Sequence, residues 1–121
     1  MSDTLLISTP TELLRLPAEN VLFISSDGNY SILMMINNES RMVNAQLGQI
    51  EALIDAQIGR KSQLVRLGKS LIVNLNYVHF INVPRQQLIL SDCKMATHTQ
   101  TVSKEVLKNL KEMLEKANKN I

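Results

Sequence analysis

The feature that most constrains this chain is how it is punctuated. Short apolar, β-prone runs alternate with polar turn signals through the first two thirds of the sequence. Val21 to Ser25 leads into Asp27-Gly28-Asn29, Tyr30 to Ile36 leads into Asn37-Asn38-Glu39, and Ser40 to Ala45 follows. Polar turns between such runs are the grammar of hairpins. Upstream, Leu5 to Ser8 and Leu13 to Leu16 flank Thr9-Pro10-Thr11, and Pro17 closes the second piece. Downstream, Leu64 to Leu67, Leu71 to Leu75, Val78 to Val83 and Gln87 to Ser91 keep the same character, with Pro84-Arg85-Gln86 turning the last two. The pattern predicts a mainly β fold built from short antiparallel strands.

Two stretches have helical spacing instead. Leu47, Ile50, Leu53, Ile54 and Ile58 predict a mid-chain helix of about three turns packed on a sheet, with Gly59 at its C-terminal cap. Val106, Leu107, Leu110, Met113, Leu114 and Ala117 form the apolar stripe of a C-terminal helix. Ser103 stands at its N-cap and Glu105 in its first turn, where the helix dipole favours an acid. Glu112 with Lys116, and Glu115 with Lys119, are spaced as i,i+4 ion pairs. No repeat or low-complexity linker divides the chain, so 121 residues read as one domain, 1–121.

Several kinds of chemistry find no support. A single cysteine, Cys93, excludes an intramolecular disulfide framework and a Cys-rich zinc site. No GxSxG, HExxH or glycine-rich phosphate loop occurs, and no carboxylates pair at a useful spacing. His79 alternates with Val78 and Phe80 and is expected on the polar face of a strand. His98 lies in a polar, Thr-rich segment, and neither histidine has an acid or thiol beside it in sequence. Met34-Met35 point to opposite faces of a strand, so they read as core filling and not as a cofactor box. The expectation is a protein that is not an enzyme, with no metal, no cofactor and no small-molecule substrate. No run approaches the roughly 18 apolar residues of a membrane helix. Met1-Ser2-Asp3-Thr4 has no signal-peptide character, and the lone cysteine suits a reducing compartment. The expected location is cytoplasmic.

The net charge of +2 conceals an asymmetry. Residues 1–60 carry three bases and seven acids, whereas residues 61–121 carry ten bases and four acids. Between Ala56 and Ser91 there are five bases (Arg60, Lys61, Arg66, Lys69, Arg85) and no acid. Such a stretch reads either as a solvated face or as a nucleic-acid footprint.

Three segments gather the side chains that could meet DNA. Ile24-Ser25-Ser26-Asp27-Gly28-Asn29-Tyr30 ends a strand in a glycine-containing polar loop and an aromatic. Leu64-Val65-Arg66-Leu67-Gly68-Lys69-Ser70-Leu71-Ile72-Val73-Asn74 breaks at Gly68, presents Lys-Ser, and runs on to Asn74. Thr101-Val102-Ser103-Lys104 precedes the terminal helix. Lys69 and Lys104 can place ammonium groups on phosphate or on guanine O6 and N7. Ser70, Ser103 and the first N–H groups of the terminal helix can donate to phosphate oxygens. The alternatives are ordinary ones: Tyr30 as a core aromatic, Lys104 as a solvated lysine.

These residues carry a resemblance. The Asp27-Gly28-Asn29-Tyr30 loop after a strand, the Arg66-to-Asn74 motif followed by Val78, and Val102-Ser103-Lys104 before a helix resemble the LytTR (LytR/AlgR-type) DNA-binding domain of bacterial transcription regulators. The resemblance runs from about residue 13 to residue 114. It implies an elongated arrangement of short antiparallel sheets whose loops enter successive major grooves of double-stranded DNA. By position, the DNA-contacting residues would be Asn29, Tyr30, Lys69, Ser70, Ser103 and Lys104, with Arg66 facing phosphate and Asn74 fixing a loop. The position of Lys69 is often Arg in the family, and Lys offers a point charge where Arg offers a bidentate fork. Repeated half-sites would call for a second protomer about one helical turn away. Domains of this family usually follow a phosphoreceiver domain, for which 121 residues leave no room. A regulatory input would therefore come from elsewhere or from a part of a longer regulator outside this sequence.

The implied function is sequence-specific DNA binding by a transcription regulator. The alternative is a protein-interaction module acting on another regulator or a membrane partner through exposed strand edges. Single-stranded nucleic acid is disfavoured, since Phe23, Tyr30, Tyr77 and Phe80 are too few for a stacking platform.

Overall fold

The computed structural model describes residues 3–118. Its elements run in the order β1 (Thr4–Ser8), β2 (Leu13–Pro17), β3 (Val21–Asp27), β4 (Tyr30–Met35), β5 (Ser40–Val43), α1 (Leu47–Gln57), β6 (Leu64–Leu67), β7 (Leu71–Asn74), β8 (Val78–Asn82), β9 (Gln87–Ser91), β10 (Thr97–Thr101) and α2 (Lys104–Ala117). Among the described residues the strands form three antiparallel sheets: β1-β2, β5-β4-β3-β7-β6 and β10-β9-β8.

The five-stranded sheet is covered on both faces. Ile24, Leu33, Val43, Leu64 and Ile72 share one core with Leu47, Ile50 and Ile54 of α1 and Leu5, Ile7 and Leu16 of the β1-β2 hairpin. Leu67, Leu71 and Val73 point the other way, into a second core with Leu88 and Leu90 of β9 and Leu107 and Leu110 of α2. This explains why Val21-Leu22-Phe23-Ile24 and Leu71-Ile72-Val73 are continuously apolar: their strands are central, and both faces are dry. A bulge between Val21 and Phe23 adds a departure from strict alternation. It sends both Leu22 and Phe23 to the second core. Met34 packs on the second core and Met35 on the first, as their adjacency in a strand requires.

Two amides close positions that apolar residues could not. Asn74 is 1% exposed; its Nδ2 donates to Val21 O (2.9 Å) and its Oδ1 accepts from Asn76 N (3.0 Å). That tie fixes β7 to the start of β3 and shapes the 3₁₀ turn Leu75–Tyr77. Gln57, at the end of α1, lies along β1 like a single strand residue. Its Oε1 accepts from Leu6 N and its Nε2 donates to Leu6 O, both at 2.8 Å. The hairpin's outer edge is thereby capped at Leu6.

The helices follow the expected spacing with two differences. Gly59 takes a positive φ of 79° just past α1, as a left-handed C-terminal cap does. On α2, Leu107 and Leu110 are buried and Leu114 packs on the same core, but Met113, 43% exposed, and Ala117 lie off that stripe. The ion pair formed along α2 is Lys111 Nζ to Glu115 Oε2 at 2.9 Å, not the expected Glu112–Lys116. Lys119, the expected partner of Glu115, lies outside the described residues.

The polar, Thr-rich segment is β10, an edge strand paired to β9 from Thr97↔Ser91 to Thr101↔Gln87. His98 sits on it, 2.7 Å from Asn38 Oδ1 through Nε2 and edge-on to Phe23 at 5.6 Å. His79 is exposed, and the fold brings beside it a thiol that is distant in sequence. Its Nδ1 is 3.8 Å from Cys93 Sγ, because a bulge at His79 and the β9–β10 turn meet there.

Asp92 organises that turn. Its Oδ1 accepts from Lys94 N (3.0 Å), Met95 N (3.0 Å) and Ala96 N (2.9 Å). These backbone donors, Ala96 first, hold its carboxyl below the ordinary value of 3.8. A depressed carboxylate contributes stability that is present above the unfolded value and lost as pH falls through the folded one. The amide resonances of Lys94, Met95 and Ala96 should therefore titrate together with a midpoint below 3.8, and Asp92→Asn should abolish that titration. In a separate test, Asn74→Ala should cost about 2 kcal/mol in urea denaturation, because Val21 O and Asn76 N lose a buried partner.

Candidate nucleic-acid interface

The register of the central sheet sets where its loops emerge. Asp27 pairs with Tyr30, so the β3–β4 connection is the two-residue loop Gly28-Asn29. Gly28 has φ 63°, a positive value at the first loop residue that suits a type II′ hairpin. Leu67 pairs with Leu71, so Gly68-Lys69-Ser70 closes the β6–β7 hairpin, with Gly68 at φ 64°. Ser25 pairs with Leu71 and Ser26 N donates to Ser70 O at 3.0 Å. Both loops therefore leave the same end of the sheet.

A cleft of roughly 320 Å³ opens at that end. Lys69 and Ser70 line it on one side, Ser25 and Ser26 contribute from β3, and Gln100, Thr101, Ser103 and Val106 close the other. Ser103 caps α2 by accepting from Val106 N at 3.4 Å, and Lys104, exposed, opens the helix beside it. Residues over thirty apart in sequence thus meet in one hydroxyl-rich cleft with one lysine on its wall and a helix N-terminus at its rim. Neutral donors plus a helix start are the ordinary equipment for phosphate oxygens.

Of the residues expected from sequence, the fold gathers Lys69, Ser70 and Ser103 in the cleft and puts Lys104 next to it. Tyr30 is 44% exposed, so its ring is not a core aromatic. Asn29 is exposed at the neighbouring loop, where its Oδ1 accepts from Gln46 Nε2 at 3.1 Å. Arg66 is placed differently from the others. It stands opposite Ile72 on the α1 side of the sheet, while the cleft lies on the side of Leu67 and Leu71. Its Nε donates to Gly68 O (3.0 Å), its Nη2 to Lys69 O (2.9 Å), and its Nη1 to Glu51 Oε1 of α1 (2.9 Å).

Sequence reasoning passed over Gln100 altogether and quoted Ser25, Ser26 and Thr101 without a role. The available signal was the run Thr97-His98-Thr99-Gln100-Thr101, in which β-branched residues alternate as in an edge strand. The basic stretch is also less free in space than along the chain, since Lys61 reaches Asp3 at 3.4 Å and Arg66 reaches Glu51. Among the described residues no three His, Cys, Asp or Glu side chains converge as for a metal ion.

With this geometry in view, comparison with known proteins is decisive about the family. The sequence profile of the LytTr DNA-binding domain matches residues 11–115. The chain belongs to the LytTr DNA-binding domain family. No individual curated protein matches it. Among solved structures it is similar to the LytTr DNA-binding domain of a Bacillus cereus protein described as a methyl-accepting/DNA response regulator. The two superpose with a TM-score of 0.62 at 16% identity, over 94% of this chain and 98% of that one. The mainly β, multi-sheet LytTr architecture expected from the motifs is therefore the architecture found. DNA binding in transcription regulation is the general function that membership of this family supports.

The LytTr loop at Gly68 depends on glycine for its backbone alone. A Cβ there would meet nothing within 4 Å, so Gly68→Ala should cost only the left-handed strain, about 1 kcal/mol, read from urea denaturation.

Proposed function

We propose that this chain binds double-stranded DNA sequence-specifically, as the output domain of a transcription regulator in the cytoplasm, with its loops entering the major groove. The observation that carries the reading is the single cleft that joins Lys69 and Ser70 to Ser103 at the head of α2, with Lys104 adjoining. In this reading Ser70, Ser103 and the first N–H groups of α2 hold phosphates, Lys69 and Lys104 supply charge, and Asn29 and Tyr30 extend the footprint from the neighbouring loop. Gln100 offers an amide that can pair with adenine N6 and N7. Arg66 supports the Lys69 loop from behind and leaves phosphate contact to the others. A site built of repeated half-sites takes two protomers, roughly 34–36 Å apart when both face the same side of the duplex. Among the described residues no helix is long and apolar enough to cross a membrane.

The test is selection of bound sequences from a random duplex pool, with affinity measured at two salt concentrations. Binding at about 50 mM salt and an enriched sequence are expected; no binding there would favour a protein-interaction module. Lys69→Ala should weaken binding and reduce the slope of log K against log salt by about one counterion. A slope unchanged in that variant would remove Lys69 from the phosphate contacts.

A further inference from the structure

An acidic residue of α1, Glu51, points at the back of the Gly68–Ser70 loop. Glu51 Oε1 accepts from Arg66 Nη1 at 2.9 Å, with side chains 42% and 25% exposed respectively. The same guanidinium spends its remaining reach on two successive loop carbonyls, Gly68 O and Lys69 O, at 3.0 and 2.9 Å. Only a planar fork can satisfy three acceptors in that arrangement. Backbone carbonyls of a three-residue hairpin loop have few partners of their own, so this clamp fixes the orientation of the peptide planes on either side of Lys69. At the N-cap of α1, Gln46 Nε2 donates to Asn29 Oδ1 of the other loop. Helix α1 therefore grips both loops from the sheet face opposite the cleft.

We propose that Glu51 is a positioning residue for DNA binding: through Arg66 it holds the Gly68–Ser70 loop in the conformation that presents Lys69 and Ser70 to the duplex. This rests on the DNA-binding reading above and assigns it an unexpected requirement, a carboxylate needed to bind a polyanion. Coulomb's law alone predicts the reverse sign, since removing a negative charge near the interface should tighten binding by up to about twofold at moderate salt.

The signs separate the two accounts. Binding of the selected duplex, and of a random duplex, is measured by fluorescence anisotropy for wild type, E51A, E51Q, K69A and the E51A/K69A pair. E51A should weaken binding about fivefold. E51Q keeps an acceptor oxygen for Arg66 and should bind within about twofold of wild type. In the K69A background E51A should have little further effect, because it acts through the same loop. A readout without DNA completes the test: backbone NMR order parameters at Lys69 and Ser70 should fall in free E51A and not in E51Q. Tighter or unchanged binding by E51A, while K69A weakens it, would overturn the positioning role and leave the DNA reading intact. Unchanged order parameters at these two residues in E51A would overturn it as well. Failure of wild type to bind either duplex would remove the DNA reading and this proposal together, a result distinguishable from the other two.

Discussion

The burial of β3 and β7 on both faces is the constraint on which the rest depends. Register is strongly specified wherever a strand face is buried, and in a strand dry on both faces a slip of one residue carries every side chain into the other core, whose partners it does not fit. Here Ile24 and Ile72 must meet α1 while Phe23, Leu71 and Val73 meet β9 and α2. Asn74 adds a polar lock at one end of the pair, through Val21 O. With that register fixed, the opposite end has no freedom either: Leu67↔Leu71 and Asp27↔Tyr30 determine where the two hairpin loops emerge. The candidate interface is thus the far end of a strand pair whose near end is bolted by a buried amide.

This constraint also explains what could be read from the sequence. Strands whose burial is written in their composition were legible, including the two continuous apolar runs and both helices. The loops at Gly28 and Gly68 were legible because a positive φ leaves glycine as its mark. Strand β10 was not, since an edge strand with exposed Thr97, Thr99 and Thr101 has no apolar signature of its own. Its pairing to β9 comes from backbone hydrogen bonds, which any sequence can make. The bulges at Leu22 and His79 were equally invisible, and one of them brings His79 to Cys93.

The site was half legible for a related reason. Residue types that suit phosphate are visible in a linear motif, so Lys69, Ser70 and Ser103 could be named. What each side chain faces is set by neighbours distant in sequence. Arg66 sits within the same motif as Lys69, yet strand alternation turns it to the opposite sheet face, toward Glu51, fifteen residues upstream. Gln100 reached the cleft only because β10 runs along β9 toward α2.

The charge asymmetry takes a different meaning in three dimensions. Along the chain, Ala56 to Ser91 has no acid; in space, Asp3 meets Lys61 and Glu51 meets Arg66. Two of the five bases in that stretch are thus paired with acids of the first half of the chain. What the cleft retains is one lysine among serines, a threonine and a glutamine. Such a surface gains little from counterion release compared with a basic helix, and correspondingly more from hydrogen bonds whose worth depends on placement. Neutral donors lose most of their value when displaced by a fraction of a bond length. An interface of this composition therefore needs rigid loops more than it needs charge, and the structure supplies that rigidity by spending one of its arginines behind the loop.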